Sequence, residues 1–274
     1  MTIVDWVEAI AAMLAAGLLA GFAGGLFGIG GGFVVVPALF FVLPLLGGSA
    51  AELAHVAIGT SLATIVATSL RSVHAHAKRG AVDFEMLRSW APWIVLGVGG
   101  GVLLAARVPG AGLAIIFGSG VTLMALHFLF PLFGGRQLAT EMPGGAARAG
   151  IAGGLGAFSS LLGIGGGTIA IIVMTLCGKS IHRAIATASG IGAIIAVPGA
   201  VGFVAIGLGA PGLPYGSLGF VNVPAALVVT STTLISAPWG VAAAHALSPL
   251  LLRRVFGLYL VAIGILMIGN GLRA

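Results

Sequence analysis

The pentapeptide Gly28-Ile29-Gly30-Gly31-Gly32 recurs as Gly163-Ile164-Gly165-Gly166-Gly167, and each copy lies inside a long run without a charged residue. Four glycines in five residues interrupt a helix. Each costs about 0.8 to 1 kcal/mol relative to alanine in a helix interior and accepts positive φ without steric cost. At membrane depth the peptide groups freed by such a break must face protein, water or a ligand. The motif therefore predicts two backbone breaks, one in each half of the chain.

Hydrophobic residues make up 59% of the 274 and charged residues 7%. The charge-free runs are 9–51, 53–70, 89–106, 108–135, 149–178, 184–252 and 255–272. Unbroken apolar runs of this length predict an all-α polytopic membrane protein and exclude a β-barrel, whose strands would alternate. No soluble domain has room to form, because the longest charge-bearing connector spans 71–88. The first eight residues hold Asp5 and Glu8 and no Lys or Arg, unlike the basic start of a cleaved signal peptide. The lone cysteine, Cys177, cannot form an intrachain disulfide and does not make a metal or redox site. The formal net charge of +6 comes from cations between apolar segments, a topological signal rather than a nucleic-acid footprint.

Similarity between the halves extends past the glycines. The motifs align at an offset of 135, His55–Ser61 resembles His182–Ala188 at 127, and Gly101-Val102 with Phe117-Gly118 matches Gly240-Val241 with Phe256-Gly257 at 139. The chain reads as two transmembrane repeats, 1–140 and 141–274. The distribution of Lys and Arg then chooses between two arrangements. Four simple spans per half would split the twelve cations seven against five. If each glycine-motif segment enters and leaves on one face, ten gather on the cytoplasmic side and only Arg107 and Arg273 remain outside. Length agrees, since the 30 residues of 149–178 would reach ~45 Å as helix, too long for one crossing of a ~30 Å core and short for two. The expected unit is a broken helical hairpin plus three spans. Its odd number of crossings makes the second half an inverted repeat of the first. Both termini are expected outside, with 71–88, 136–148, 179–183 and 245–254 inside.

A helix beginning at each break offers unpaired N–H groups and a partial positive charge, which suits a small anion. Close helix packing is the plainer use of the same glycines. Candidate substrate-binding residues are Gly28, Gly30, Gly31 and Gly32 in the first motif and Gly163, Gly165, Gly166 and Gly167 in the second. Beside them runs a hydroxyl-bearing span in each half, with Thr60, Ser61, Thr64, Thr68 and Ser69 in one and Thr187 and Ser189 in the other; back-bonding within the helix is their alternative role. Thr60 and Thr187 are equivalent under the repeat and form the leading pair. Thr168 flanks the second motif together with Ser159 and Ser160, where the first has Phe33, Gly24 and Gly25. His55 and His182, at the entrances of the two spans, complete the set. Thr230–Thr233 with Ser236 could line a polar path or bond between helices.

Other chemistry fits less well. His74 and His76, two apart on a helix, face different directions and have no carboxylate or thiol beside them. No Asp or Glu falls inside an expected span, which argues against a buried carboxylate relay. Gly178-Lys179-Ser180 lacks the first glycine of a P-loop, neither glycine motif completes a dinucleotide fingerprint, and His-Glu-x-x-His is missing. No enzyme, cofactor or metal is expected.

The duplicated glycine motif, Ala57-Ile58-Gly59-Thr60-Ser61 and the terminal Phe256-Gly-x6-Gly264 pattern resemble the TauE/SafE sulfite exporter family of membrane permeases over about residues 10–272. The resemblance implies carriage of sulfite, sulfonates or related small anions across the bacterial cytoplasmic membrane, with export the commoner direction. It carries over to Gly28, Gly30–Gly32, Gly163, Gly165–Gly167, Thr60 and Thr187. The second copy departs from the first, with Ala186-Thr187-Ala188 in place of Gly59-Thr60-Ser61. The expected activity is an alternating-access anion permease with the lipid bilayer and a small anion as partners. An anion channel of the same architecture, or a permease for another small solute, is the alternative. Substrate identity, direction, coupling ion and oligomeric state stay open at this point.

Overall fold

The computed structural model describes residues 3–27, 31–130, 137–246 and 248–273. Among these the order is α1 (Ile3–Phe27), α2 (Gly32–Val42, extended by a 3-10 turn Leu43–Leu46), α3 (Leu53–Ala77), α4 (Phe84–Ala105), α5 (Gly110–Leu129), α6 (Gly145–Leu162), α7 (Gly167–Leu176) and α8 (Ile181–Gly207). A two-stranded antiparallel hairpin, β1 (Ser217–Leu218) and β2 (Val221–Asn222), then leads into α9 (Val223–Ala246) and α10 (Pro249–Arg273). The protein is an all-α polytopic membrane protein. Seven helices (α1, α3, α4, α5, α8, α9 and α10) are long and apolar enough to cross a membrane, and α2 and α7 are shorter apolar helices. Outward-facing Leu96, Leu103, Leu123, Val201, Leu227, Leu258 and Ile265 form the surface that lipid would cover.

Helix ends follow local chemistry. Asp83 caps α4 by accepting the Met86 N–H at 3.0 Å, Ser180 caps α8 through Arg183 N–H at 3.4 Å, and Gly47 closes the 3-10 turn with φ 81°. Between helices, small residues permit contacts that larger side chains would block. Gly21 on α1 lies against Ser236 and Thr233 on α9, and Gly156 on α6 lies against Ile94 and Val98 on α4. Gly240 of α9 sits on the Phe22 carbonyl of α1, as Gly101 of α4 sits on the Ala157 carbonyl of α6. Both pairs run parallel. At the offsets read from the sequence these contacts correspond, with α1 docked on α9 as α6 is docked on α4.

The remaining spans pair antiparallel. On α3 and α8, Gly59 meets Phe203, Leu62 meets Gly199 and Ser69 meets Gly192; on α5 and α10, Leu129 meets Gly257, Thr122 meets Gly264 and Ala111 meets Gly271. Of the seven spans, α3 is the most enclosed. Loops collect at two ends. At one end Asp83 contacts Lys179 and Arg183, Leu138 and Ala139 donate N–H to the Leu176 carbonyl, and Arg253 reaches the His127 carbonyl. This end gathers the segments that the sequence assigns to the inside. At the other, Ser49 N–H bonds Gly212 O, Tyr215 N–H bonds Leu46 O, and His55 contacts Ala105 O.

One element is longer than the sequence indicated. Within α1, Val7–Leu26 is by itself long enough to cross, because the first glycine motif falls late in its apolar run. Gly31 packs on Ala20, so α1 extends past the level at which α2 turns back.

Candidate functional site

The second glycine motif ends α6 and starts α7 within five residues. Gly163 takes φ 62° and closes α6 with paired bonds, Ile164 N–H to Ser159 O at 3.0 Å and Gly163 N–H to Ser160 O at 3.3 Å, in the manner of a Schellman stop. Gly166, at φ 66°, is the N-cap of α7, and no side chain caps that helix. The first intrahelical bond is Ala170 N–H to Gly166 O, which leaves the N–H groups of Gly167, Thr168 and Ile169 as the helix's opening donors. Beside them lie two buried hydroxyls without a hydrogen-bond partner, Ser159 Oγ and Thr168 Oγ1. A Cβ on Gly166 would lie 2.9 Å from Ser159 Oγ and 2.6 Å from Ile195 Cδ1.

The break is held from two sides. Ser61 Oγ of α3 donates to the Gly163 carbonyl at 2.8 Å, and a Cβ on Gly165 would lie 3.4 Å from Gly192 Cα of α8. Gly32, which opens α2, sits with its Cα facing the Gly163 carbonyl, so closely that a Cβ there would lie 2.8 Å from the oxygen. The two motifs therefore meet. The other side chains nearest Gly163, Gly165 and Gly166 are the apolar Val36, Ile65, Ile195 and Leu155, and the backbone of Ile58 also lies against Gly163. A low-dielectric wall around oriented N–H and O–H donors strengthens their attraction for an anion.

The two breaks differ in chemistry. Where the second has Thr168, the first has Phe33, buried edge-on against Phe256 with ring centroids 6.2 Å apart. Gly24 and Gly25 replace Ser159 and Ser160. Polar donors thus concentrate at the α7 side. Gly28 and Gly30 lie outside the described residues. Gly31 is the N-cap of α2 and packs on the Ala20 carbonyl.

The remaining candidates spread out. Thr60 Oγ1 accepts the Asn222 N–H at 2.9 Å, and Thr187 Oγ1 accepts the Asp83 N–H at 2.9 Å. Gly59 packs on Phe203, so the two threonines lie roughly 24 Å apart along α8, each near its own end of the bundle. Ser189 bonds back to Ala186 O at 2.6 Å. Thr232 and Ser236 also bond back within α9, while Thr233 reaches across to Gly17 O at 3.1 Å. His182 is exposed, whereas His55 is buried at the opposite end. The break therefore brings together Thr168, Ser61, Gly32, Gly163 and Gly165–Gly167, but not Thr60, Thr187, Ser189, His55 or His182.

Ser159 belongs to the site, and the sequence marks it only as a serine where the first repeat has glycine. Ser69, one of the hydroxyls the sequence places on the α3 span, packs behind the break on Gly192, which carried no sequence signal.

Comparison with known proteins gives a consistent result. The profile described as Sulfite exporter TauE/SafE matches residues 13–267. A probable membrane transporter protein of Haemophilus influenzae is 34% identical over 253 residues, covering 92% of this chain and 95% of the relative. One of Methanocaldococcus jannaschii is 26% identical over 267 residues, covering 93% and 94%, and one of Bacillus subtilis is 44% identical over 69 residues, covering 25% of each. No solved structure matches the chain.

Proposed function

Since this chain belongs to the sulfite exporter TauE/SafE family, whose members are membrane transporters rather than enzymes, we propose that it carries small oxyanions such as sulfite or organosulfonates across a bacterial cytoplasmic membrane. One observation carries the reading: the two unpartnered hydroxyls, Ser159 and Thr168, stand beside the uncapped start of α7 at a helix break inside the bundle. A tetrahedral or pyramidal oxyanion presents several acceptor oxygens, and the donors here are two O–H groups and the first N–H groups of a ten-residue helix. The helix end supplies roughly half a positive charge without a fixed cation. A site without a full charge can release its anion as well as bind it.

Alternating access follows from an inverted repeat of residues 1–140 and 141–274. It is supported by the counterpart packing of α1 on α9 and α6 on α4, and by the antiparallel α3–α8 and α5–α10 pairs. The basic end is drawn shut by Asp83 between Lys179 and Arg183, at 3.6 and 3.4 Å, while the other end opens a cavity of about 510 Å³. The positive-inside rule assigns the cavity end to the exterior. Breaking the Asp83 cluster while closing the cavity would present the α7 site to the cytoplasm.

Liposomes holding the purified protein and preloaded with sulfite provide the test, with counterflow of labelled sulfite as the readout and sulfate and an organosulfonate as competitors. Saturable exchange is expected, and the order of competition names the anion class. Flux that rises without saturation would mark a channel, and no exchange by folded, inserted protein would remove these anions as substrates.

A further inference from the structure

The cavity at the less basic end is lined by Glu52, His55, Arg107, Gly110, Ile206 and Phe220 among others, and it shares no lining residue with the α7 site. His55 is buried at its edge and stacked on Phe220, with centroids 4.7 Å apart and planes 24° from parallel. Its two ring nitrogens are fixed in role by their neighbours. Nε2 lies 3.1 Å from the Ala105 carbonyl, which can only accept, so Nε2 carries a hydrogen. Nδ1 then faces Glu52 Oε2 at 3.3 Å and makes no aligned hydrogen bond. A lone pair facing a carboxylate is repulsive, so the contact is favourable only when one further proton sits on Nδ1 or on the carboxyl.

We infer that this cavity is a second binding site for a small oxyanion, one that fills when the His55–Glu52 pair holds its shared proton. Arg107, exposed in the loop between α4 and α5, supplies the fixed cation. With the proton in place the lining carries one net positive charge; without it, Glu52 cancels Arg107 and the attraction is lost. Other elements add no ionisable group, since α8 contributes Ile206, the hairpin Phe220 and α5 Gly110 and Ala111. Anion and proton therefore enter together from this face. The inference stands apart from the α7 site and does not depend on it.

The test is methanesulfonate binding to the full-length protein in detergent, measured calorimetrically at about pH 5 and about pH 8, where histidine is the side chain that ordinarily changes charge and the sulfonate does not. Wild-type protein is expected to bind about tenfold more weakly at the higher pH, the effect of one unit charge across a few ångströms of mixed dielectric. His55→Gln should flatten that ratio, Glu52→Gln should bind at about pH 8 at least as tightly as wild type does at about pH 5, and Arg107→Gln should weaken binding at both pH values. Arg107 is exposed and Glu52 only partly buried, so those two variants report even if loss of the buried imidazole unfolds the protein. A lipid headgroup phosphate offers the same chemistry. A short-chain phosphatidylglycerol, titrated in the same way, shows whether the anion is free or lipid-borne, and pH-dependent binding of either through Arg107 supports the site. Affinity of Glu52→Gln at about pH 8 no higher than that of wild type at the same pH, or binding of neither probe, overturns it.

Discussion

The hydroxyl of Thr60 accepts the backbone N–H of Asn222 at 2.9 Å, across from α3 to the residue that starts α9. Its repeat counterpart Thr187 accepts the N–H of Asp83, which starts α4, at the same distance. Asn222 and Asp83 in turn cap their own helices, through Ala225 and Met86. One buried threonine on α3 thus fixes the start of α9, and one on α8 the start of α4.

Replacing Thr60 or Thr187 with valine keeps the shape and orphans a buried N–H, a loss of about 1 to 3 kcal/mol. Thermal unfolding in detergent should shift downward for both variants. The apparent KM for sulfite exchange should stay unchanged, because neither hydroxyl faces the α7 break.

Glycines on α4 should divide sharply. A Cβ on Gly97 would lie 2.0 Å from the Gly153 carbonyl, whereas Gly99 and Gly100 have nothing within 4 Å. Gly97→Ala is expected to separate α4 from α6 and reduce the yield of monodisperse protein. Gly100→Ala should be tolerated and add helix propensity of about 0.5 to 1 kcal/mol. Size-exclusion profiles of the two variants give the comparison.

The latch at the basic end can be read through the protein's one cysteine. Burial pushes the Cys177 thiol above its ordinary range, with Lys179 pulling weakly the other way, so little reactive thiolate forms at neutral pH. Asp83→Asn keeps an oxygen to cap Met86 N–H and loses the ion pairs to Lys179 and Arg183. Maleimide labelling of Cys177 is expected to be slow in wild type and faster in Asp83→Asn. Because the thiolate is the nucleophile, both rates should rise with pH.

Much of this architecture was legible in the residues. The charge-free runs located the long spans, the lysines and arginines grouped the loops now found at one end, and the repeated glycines marked the second break where Gly163 and Gly166 take positive φ. Which hydroxyls face that break was not legible. Thr60 and Thr187 looked like a binding pair because the sequence aligns them at one offset, whereas their hydroxyls are engaged in docking α9 and α4. That role depends on long-range partners, Asn222 and Asp83, which no local pattern links to them. Ser159 was visible as a serine flanking the second motif where the first has Gly24, but its place beside Gly166 depends on the turn between α6 and α7.

Gly166 itself should tolerate no side chain. Its φ of 66° disfavours any L residue, and a Cβ would crowd Ile195 and Ser159. Gly166→Leu, and Gly31→Leu at the packed first motif, are expected to insert into membranes but to abolish exchange. Normal flux in either folded variant would remove the glycine breaks from the transport path.

The most direct measurement compares saturable sulfite counterflow by wild type with that by Ser159→Ala and Thr168→Val in the same liposomes. A hydrogen bond to a charged ligand contributes about 1.5 to 3 kcal/mol, so each variant should raise the half-saturating sulfite concentration by roughly 10- to 100-fold while the protein stays folded. Half-saturation unchanged in both variants would contradict an anion site at the start of α7.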